Sequence, residues 1–304
     1  MRHSVEADLT EAVLARLAPS AAPRFKQVMT SLVQHLHSFV REVELTEEEW
    51  FEGIRFLTAA GQKSDDKRQE FILLSDVLGV SMLVDAINHR APQGATESTV
   101  LGPFFVEGAP VYENGTDLTR DLELAGEPTW VTGRVRSVDG KPIAGAMVDV
   151  WQARPDSLYD VQDADAGLEL RGRFRSDAEG RFWYRTYKPV SYPVPTDGPV
   201  GRLLDAMGRH PMRPAHIHFI IAAPGYEQLV THLFAAGDEY LDSDAVFGVK
   251  ESLVARFEHV DSAVEAKRLG MPSPFLRLDF DFRLAPASGA RTRAPVTAGD
   301  AAER

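Results

Sequence analysis

The sequence predicts an α+β fold: a helical N-terminal segment over residues 1–99, an antiparallel β-sandwich over 100–285, and a disordered tail over 286–304. Two observations carry this. Apolar residues recur at helical spacing through about the first 95 residues, and from Val100 onward short β-rich runs are punctuated by glycine and proline. The 304-residue length fits two domains.

In the first segment, Thr10 precedes EAVLARLA, whose Val13, Leu14 and Leu17 share a face. A second helix is expected over Pro23–Val43, with Val28, Leu32, His35 or Leu36, and Phe39 at helical spacing. Thr46 and Glu49 form a capping box for EEEWFEGIRFLTAAG, which is expected to stop at Gly61. A fourth helical run is expected over Asp65–Arg90, carrying Phe71, Leu74, Leu78, Met82 and Ile87. These stripes are wide, so the helices must pack on one another or on a partner chain.

After APQGATEST, TWVTGRVRSV alternates and is followed by the turn Asp139-Gly140. AGAMVDVWQA reads as a strand, and FRSDAEGRFWYRTY as a hairpin around Asp177–Gly180. RPAHIHFIIAA, LVTHLFAAG and LRLDFDFRL complete the set. Short strands at this spacing predict a sandwich. The small, polar final stretch is expected to be disordered.

Composition narrows the function. There are 45 acidic and 33 basic residues, a net charge of −12, which argues against a broad nucleic-acid-binding surface. No apolar run approaches the ~18–20 residues of a membrane span, and the N-terminus lacks the apolar core of a signal peptide, so a cytoplasmic protein is expected. Cysteine is absent, which excludes disulfides, thiolate nucleophiles and Cys-bound metals. Any metal must be held by nitrogen and oxygen.

His216 and His218 lie at i and i+2 on a predicted strand and so point to one face, as cis ligands to a metal do. Taken alone, the pair fits two hydrogen-bonded histidines at a sheet edge equally well. His35 and His37 have the same spacing on a predicted helix, where the side chains diverge by about 200°, and read as structural or surface residues. Loop tyrosines at Tyr159 and Tyr192 are ordinarily packing residues with a wet hydroxyl. As phenolates they are hard oxygen ligands that suit Fe(III) better than Zn²⁺.

LGPFF (101–105), DVWQARPDSLYDVQ (149–162) and the long stretch from LRGRFRSDAEG to LVTHLF (170–234) carry a resemblance to the intradiol ring-cleaving dioxygenases. It covers nearly the whole chain apart from the C-terminal tail. SLYDVQ, YPVPTDGPVG, LVTHLF and GDEYLDSDAVFGVK (237–250) are most similar to the hydroxyquinol-cleaving branch. The resemblance implies one non-haem Fe(III) per subunit, held by Tyr159, Tyr192, His216 and His218. It also implies O2-dependent cleavage of an aromatic diol or triol to a muconate.

Tyr192 matches the internal base, and Arg213 the arginine that stabilises charge on the substrate. Arg213 reads otherwise as a structural bridge to an acid such as Asp205. Substrate-pocket positions fall at Leu73, Asp76, Val100, Leu101, Gly102, Pro103, Phe104, Val194, Pro195 and Val246. Asp76 is placed to accept a hydrogen bond from a third ring hydroxyl; read blandly, it is an exposed or helix-paired acid. His232 stands where the catechol-cleaving branch has glutamine, and is expected behind the ligands or as an ordinary strand histidine. The resemblance also implies a homodimer through the N-terminal helices with a phospholipid between protomers, using Leu32, Leu36, Phe39, Trp50, Ile54 and Phe56. Two alternatives stay open: a catechol or chlorocatechol enzyme, and a non-catalytic sandwich that binds a ligand.

Overall fold

The computed structural model describes residues 5–17, 22–65, 68–90, 92–120, 122, 125–163, 165 and 167–287. The chain forms two compact units, Met1–Gln62 and Lys63–Arg304.

The first unit holds α1 (Val5–Leu14), α2 (Pro23–Glu42) and nearly all of α3 (Glu47–Lys63). Thr10 lies inside α1 rather than capping it, and its hydroxyl meets His37 Nδ1 at 2.9 Å. His35 is exposed and bonds to the Ser31 carbonyl at 2.8 Å, so neither histidine of this pair faces a site. The capping box forms: Thr46 N–H donates to Glu49 Oε2 at 3.0 Å, and Glu49 N–H to Thr46 Oγ1 at 3.3 Å. Helix α3 continues two residues past Gly61. Among the described residues, α2 buries no side chain, and Leu32, Leu36, Phe39, Trp50 and Ile54 are all more than 40% exposed, with Phe56 half-buried.

The single helix expected over Asp65–Arg90 is two, α4 (Glu70–Val77) and α5 (Val80–Asn88). Gly79 between them has φ +73°, a left-handed conformation that ends α4 and that glycine adopts without a Cβ clash. Both helices belong to the second unit, well before the expected boundary at residue 99. The cause is specific bonding: the buried Glu70 accepts the Val200 N–H at 3.0 Å, and Arg209 donates to the Val77 carbonyl at 2.5 Å.

The strands are β1 (Val111–Tyr112), β2 (Pro128–Ser137), β3 (Met147–Gln152), β4 (Arg171–Arg175), β5 (Arg181–Tyr187), β6 (Tyr192–Pro193), β7 (Met212–Arg213), β8 (His216–Ala222), β9 (Leu229–Ala235), β10 (Val254–Ala255), β11 (Glu258–Val260) and β12 (Phe275–Leu284). Two further helices are α6 (Pro199–Ala206) and α7 (Ala263–Leu269). One sheet has the order β1-β4-β3-β8-β9-β10, a second β11-β12-β2-β5, and β6 pairs with β7 alone. Three pairs, β1–β4, β9–β10 and β2–β12, run parallel within these otherwise antiparallel sheets.

The Asp177–Gly180 turn is not a hairpin within one sheet. It carries the chain from β4 in the first sheet to β5 in the second. Gly180 (φ +75°) is required there, because a Cβ would lie 2.5 Å from the Val135 carbonyl. The core lies between the sheets and includes Val148, Val150, Phe174, Phe182, Ile217, Phe219, Ile221, Leu278 and Phe282. Burying each such side chain contributes about 1.5–3 kcal/mol relative to exposure. Pro286 and Ala287, expected in the disordered tail, are tied back to Tyr226 and Gly225. The rest of that expected tail, 288–304, lies outside the described residues.

Candidate metal centre

Strand β8 alternates, and the alternation positions the site. Ile217, Phe219 and Ile221 enter the sandwich core, so His216 and His218 must project from the opposite face of the sheet. Register then sets their neighbours. His218 lies between Trp151 of β3 and His232 of β9, and His216 is opposite Phe234. Trp151 stacks on His218 with ring centres 4.6 Å apart, and His232 stacks on His216 at 4.7 Å.

A loop and the short strand β6 bring the tyrosines over this face. Tyr159 Oη is 2.9 Å from His218 Nε2, and His218 Nε2 is 3.1 Å from His216 Nε2. Tyr192, on β6, pairs in register with Arg213 on β7 and crosses the Tyr159 ring edge-on at 5.1 Å. Arg213 Nη1 is 3.3 Å from both Tyr192 Oη and His216 Nε2. Tyr159, Tyr192, Arg213, His216, His218 and His232 are all at most 3% exposed.

This donor set fits a hard metal ion. His216 Nδ1 bonds to the Pro214 carbonyl at 2.7 Å, which places a proton on Nδ1 and turns the Nε2 lone pair inward. Burial, reinforced by Arg213, lowers the His216 pKa to about 3, so the ring is a neutral ligand. His218 is pushed well below 6.5 by burial and then by His232, His216 and Arg213. Tyr159 is pushed well above 10 by burial and by Tyr192, so without a cation its phenol keeps its proton. A bound cation reverses that preference. Two phenol oxygens and two inward imidazole nitrogens in a dry pocket are the hard O/N ligands a ferric ion takes.

The histidines include more than the expected pair. His216, His218 and His232 offer ligand atoms within 4.8 Å of one another. His232 sits against the Val100 backbone, yet neither of its nitrogens, nor His218 Nδ1, completes a hydrogen bond by distance and angle among the described residues.

The pocket positions fall on four segments. Leu73 and Asp76 are buried on α4, and Val194 and Val246 are buried in loops. Val100, Leu101, Gly102, Phe104 and Pro195 are half-buried, while Pro103 is exposed. Phe104 stacks on Tyr159 at 4.4 Å. Gly102 (φ +79°) crosses His218 so closely that a Cβ would meet the ring at 3.1 Å. Burial raises the Asp76 pKa and Asp244 adds to the rise, opposed by Ser81 and Arg213. Asp76 is therefore a buried acid within the field of Arg213, not an exposed one.

Sequence reasoning missed three supports. The carboxylate facing Arg213 is Asp244, not Asp205, with Nε–Oδ1 at 3.1 Å and both side chains almost wholly buried. Asp244 also accepts the N–H of Gly248 at 2.9 Å and of Val246 at 3.3 Å. Arg171 pairs with Asp160, the residue after Tyr159, and both Nη atoms donate to the Phe104 carbonyl at 3.2 Å. That fork ties the Tyr159 loop to the pocket wall. Arg209 is the third. The run GDEYLDSDAVFGVK carries Asp244, but in the sequence it marks only the family resemblance and does not single out this acid.

A family model described as "Dioxygenase" matches residues 100–286, and one described as "Catechol dioxygenase N terminus" matches 22–96. The chain belongs to the intradiol ring-cleavage dioxygenases. It is 57% identical to the 6-chlorohydroxyquinol 1,2-dioxygenase of Cupriavidus pinatubonensis, covering 92% of this chain and 97% of that protein. It is 52% identical to the hydroxyquinol 1,2-dioxygenase of a Rhizobium species, covering 92% and 96%. The crystal structure of the Pseudomonas putida hydroxyquinol 1,2-dioxygenase superposes with a TM-score of 0.87 at 55% identity, covering 93% of this dioxygenase and 99% of that chain. The non-catalytic sandwich alternative is thereby set aside. No helix among the described residues is long and apolar enough to cross a membrane.

Proposed function

We propose that this dioxygenase cleaves hydroxyquinol (benzene-1,2,4-triol) between its adjacent hydroxyl-bearing carbons, using O2, to 3-hydroxy-cis,cis-muconate and its tautomer maleylacetate. One non-haem Fe(III) per subunit is held by Tyr159, Tyr192, His216 and His218. The observation that carries this reading is the buried convergence of two phenols and two imidazoles beside Arg213, with the acid Asp76 in the same field. Bound there, Fe(III) supplies Lewis acidity toward a chelated diol and makes its ring reactive toward O2.

The chain's own residues do the rest. Tyr192 Oη, 3.3 Å from Arg213 Nη1, is the oxygen placed to take a diol proton, and the guanidinium beside it stabilises the charge left on the substrate. Arg213 stays charged: burial opposes this, but Asp244, Tyr192 and Tyr159 together more than offset it. Phe104 and Trp151 cover Tyr159 and His218 and exclude water. Asp76, which already has Ser81 as a partner, accepts the third ring hydroxyl, so a catechol leaves a buried carboxylate one partner short.

The test is a substrate panel on iron-loaded enzyme: hydroxyquinol, catechol and 4-chlorocatechol, with the ring-opened product identified. Hydroxyquinol is expected to show the highest kcat/KM, and a preference for catechol overturns the substrate assignment. Asp76→Ala is expected to narrow the hydroxyquinol-to-catechol ratio about tenfold, or ~1.4 kcal/mol, within the cost of one buried polar group left without a partner. An unchanged ratio removes Asp76 from substrate selection.

The exposed apolar residues of α2 and α3 are covered, in this reading, by a second copy of the chain, with a phospholipid between protomers. Light scattering behind size exclusion is expected to give twice the chain mass, and lipid extraction a phospholipid. A monomer contradicts the dimer.

A further inference from the structure

Helix α4 carries two pocket residues, Leu73 and Asp76, and is clamped at both ends. At its N-terminus the buried Glu70 accepts the Val200 N–H of α6 and pairs with Arg68 at 2.9 Å. Gly198 lets that carboxylate in, because a Cβ there would lie 2.3 Å from Glu70 Oε1. At its C-terminus the clamp is Arg209, which follows α6. Arg209 Nη1 donates to the Val77 carbonyl at 2.5 Å, and Nη2 to the Ala245 carbonyl at 2.9 Å. The first acceptor belongs to the last turn of α4, where carbonyls lack helical partners and favour a cation. The second adjoins Val246.

The surroundings close this clamp. Arg209 lies over the Phe247 ring, 4.8 Å from its centre, and Phe247 holds the left-handed φ of +58°. A Cβ on Gly79, just past α4, would touch the same ring at 3.5 Å. The loop from Asp244 to Gly248 is fixed on its other side by Asp244 and by the Ala245 N–H, which donates to the Met212 carbonyl at 3.1 Å beside Arg213. One guanidinium therefore spans the wall that holds Asp76 and the wall that holds Val246.

We propose that Arg209 is a positioning residue for substrate selection. It sets the gap between Asp76 and Val246 and so the fit of the substituent at the ring's third hydroxyl position. The assignment rests on the hydroxyquinol reading above. It touches neither substrate nor metal ligand; it acts through two backbone carbonyls. The planar fork is needed because a single ammonium cannot reach both acceptors in fixed geometry.

The test compares Arg209→Gln and Arg209→Lys with the parent enzyme. In Arg209→Gln the hydroxyquinol-to-catechol ratio of kcat/KM is expected to fall about tenfold, through the KM for hydroxyquinol. Catechol turnover and the visible spectrum of the iron-loaded protein stay within about twofold, as the ligand set is untouched. Arg209→Lys, which keeps the charge but loses the fork, falls between, and it serves as the arm that folds if the glutamine variant does not. In metal-free protein, amide exchange over 70–79 and 244–248 is expected to speed up together. Equal losses on both substrates, or an unmoved ratio in either variant, overturn the proposal. A parent enzyme that prefers catechol overturns the substrate reading instead, while Arg209 is still judged on whether the ratio moves.

Discussion

Asp244→Ala is expected to destabilise the folded chain by about 3–5 kcal/mol, because it strands a buried guanidinium without its counter-charge. Arg213 and Asp244 are 3% and 2% exposed at their side chains and meet at 3.1 Å. Asp244 also holds the N–H groups of Val246 and Gly248, so the same change loosens the loop that bears a pocket residue. A Cβ on Gly248 would come within 3.0 Å of Arg213 Nη2 and 3.1 Å of Asp244 Oδ2, so a glycine there is what lets the loop close over the pair.

The effect has a pH signature. Burial raises the Asp244 pKa, but Arg213, then His216 and the Gly248 N–H, outweigh it, and the net value lies below that of an ordinary aspartate. A carboxyl depressed in the folded state adds stability above its unfolded pKa of about 3.9, and that contribution fades as pH falls through the folded value. Urea unfolding of the parent and Asp244→Asn is therefore expected to differ most near neutrality and to converge in acid. A constant difference across pH shows that packing, not charge, is what Asp244 supplies.

The strand that carries the candidate metal site was open to reading from RPAHIHFIIAA, because alternation alone puts both histidines on one face. The tyrosines were not: Tyr159 sits in a loop and Tyr192 on the two-residue strand β6, and only family resemblance singled them out before geometry joined them. Arg213–Asp244 and Arg171–Asp160 were closed to sequence because their partners lie on separate segments, and nothing in GDEYLDSDAV singles out the acid that the fold buries. Periodicity located the strands around Asp177–Gly180 but cannot say which sheet a strand joins. It also ran straight through Gly79, where the backbone turns left-handed and makes two helices of one. That break lets the α4 terminus meet Arg209.

His216→Ala or His218→Ala is expected to cost more than about a hundredfold in iron affinity, beyond the range seen when only residues behind the ligands change. Each removes an inward imidazole from the cluster whose edges are 2.9 and 3.1 Å. Tyr159→Phe is the sharper probe. The phenylalanine keeps the stacking on Phe104 at 4.4 Å, so the fold persists, while the only loss is the oxygen 2.9 Å from His218. Charge transfer from tyrosinate to Fe(III) colours such a centre red-brown, so the parent protein with iron is expected to be coloured and Tyr159→Phe bleached or shifted. Tyr192→Phe is expected to alter the same band and, by removing the oxygen beside Arg213, to lower kcat more than it raises KM. The two tyrosines then separate: one loss reads mainly as ligation, the other as ligation plus proton transfer. A colourless parent protein with one iron bound would falsify the ligand assignment. In that event His232, with two buried nitrogens and contacts to both other histidines, is the residue to which the missing coordination falls.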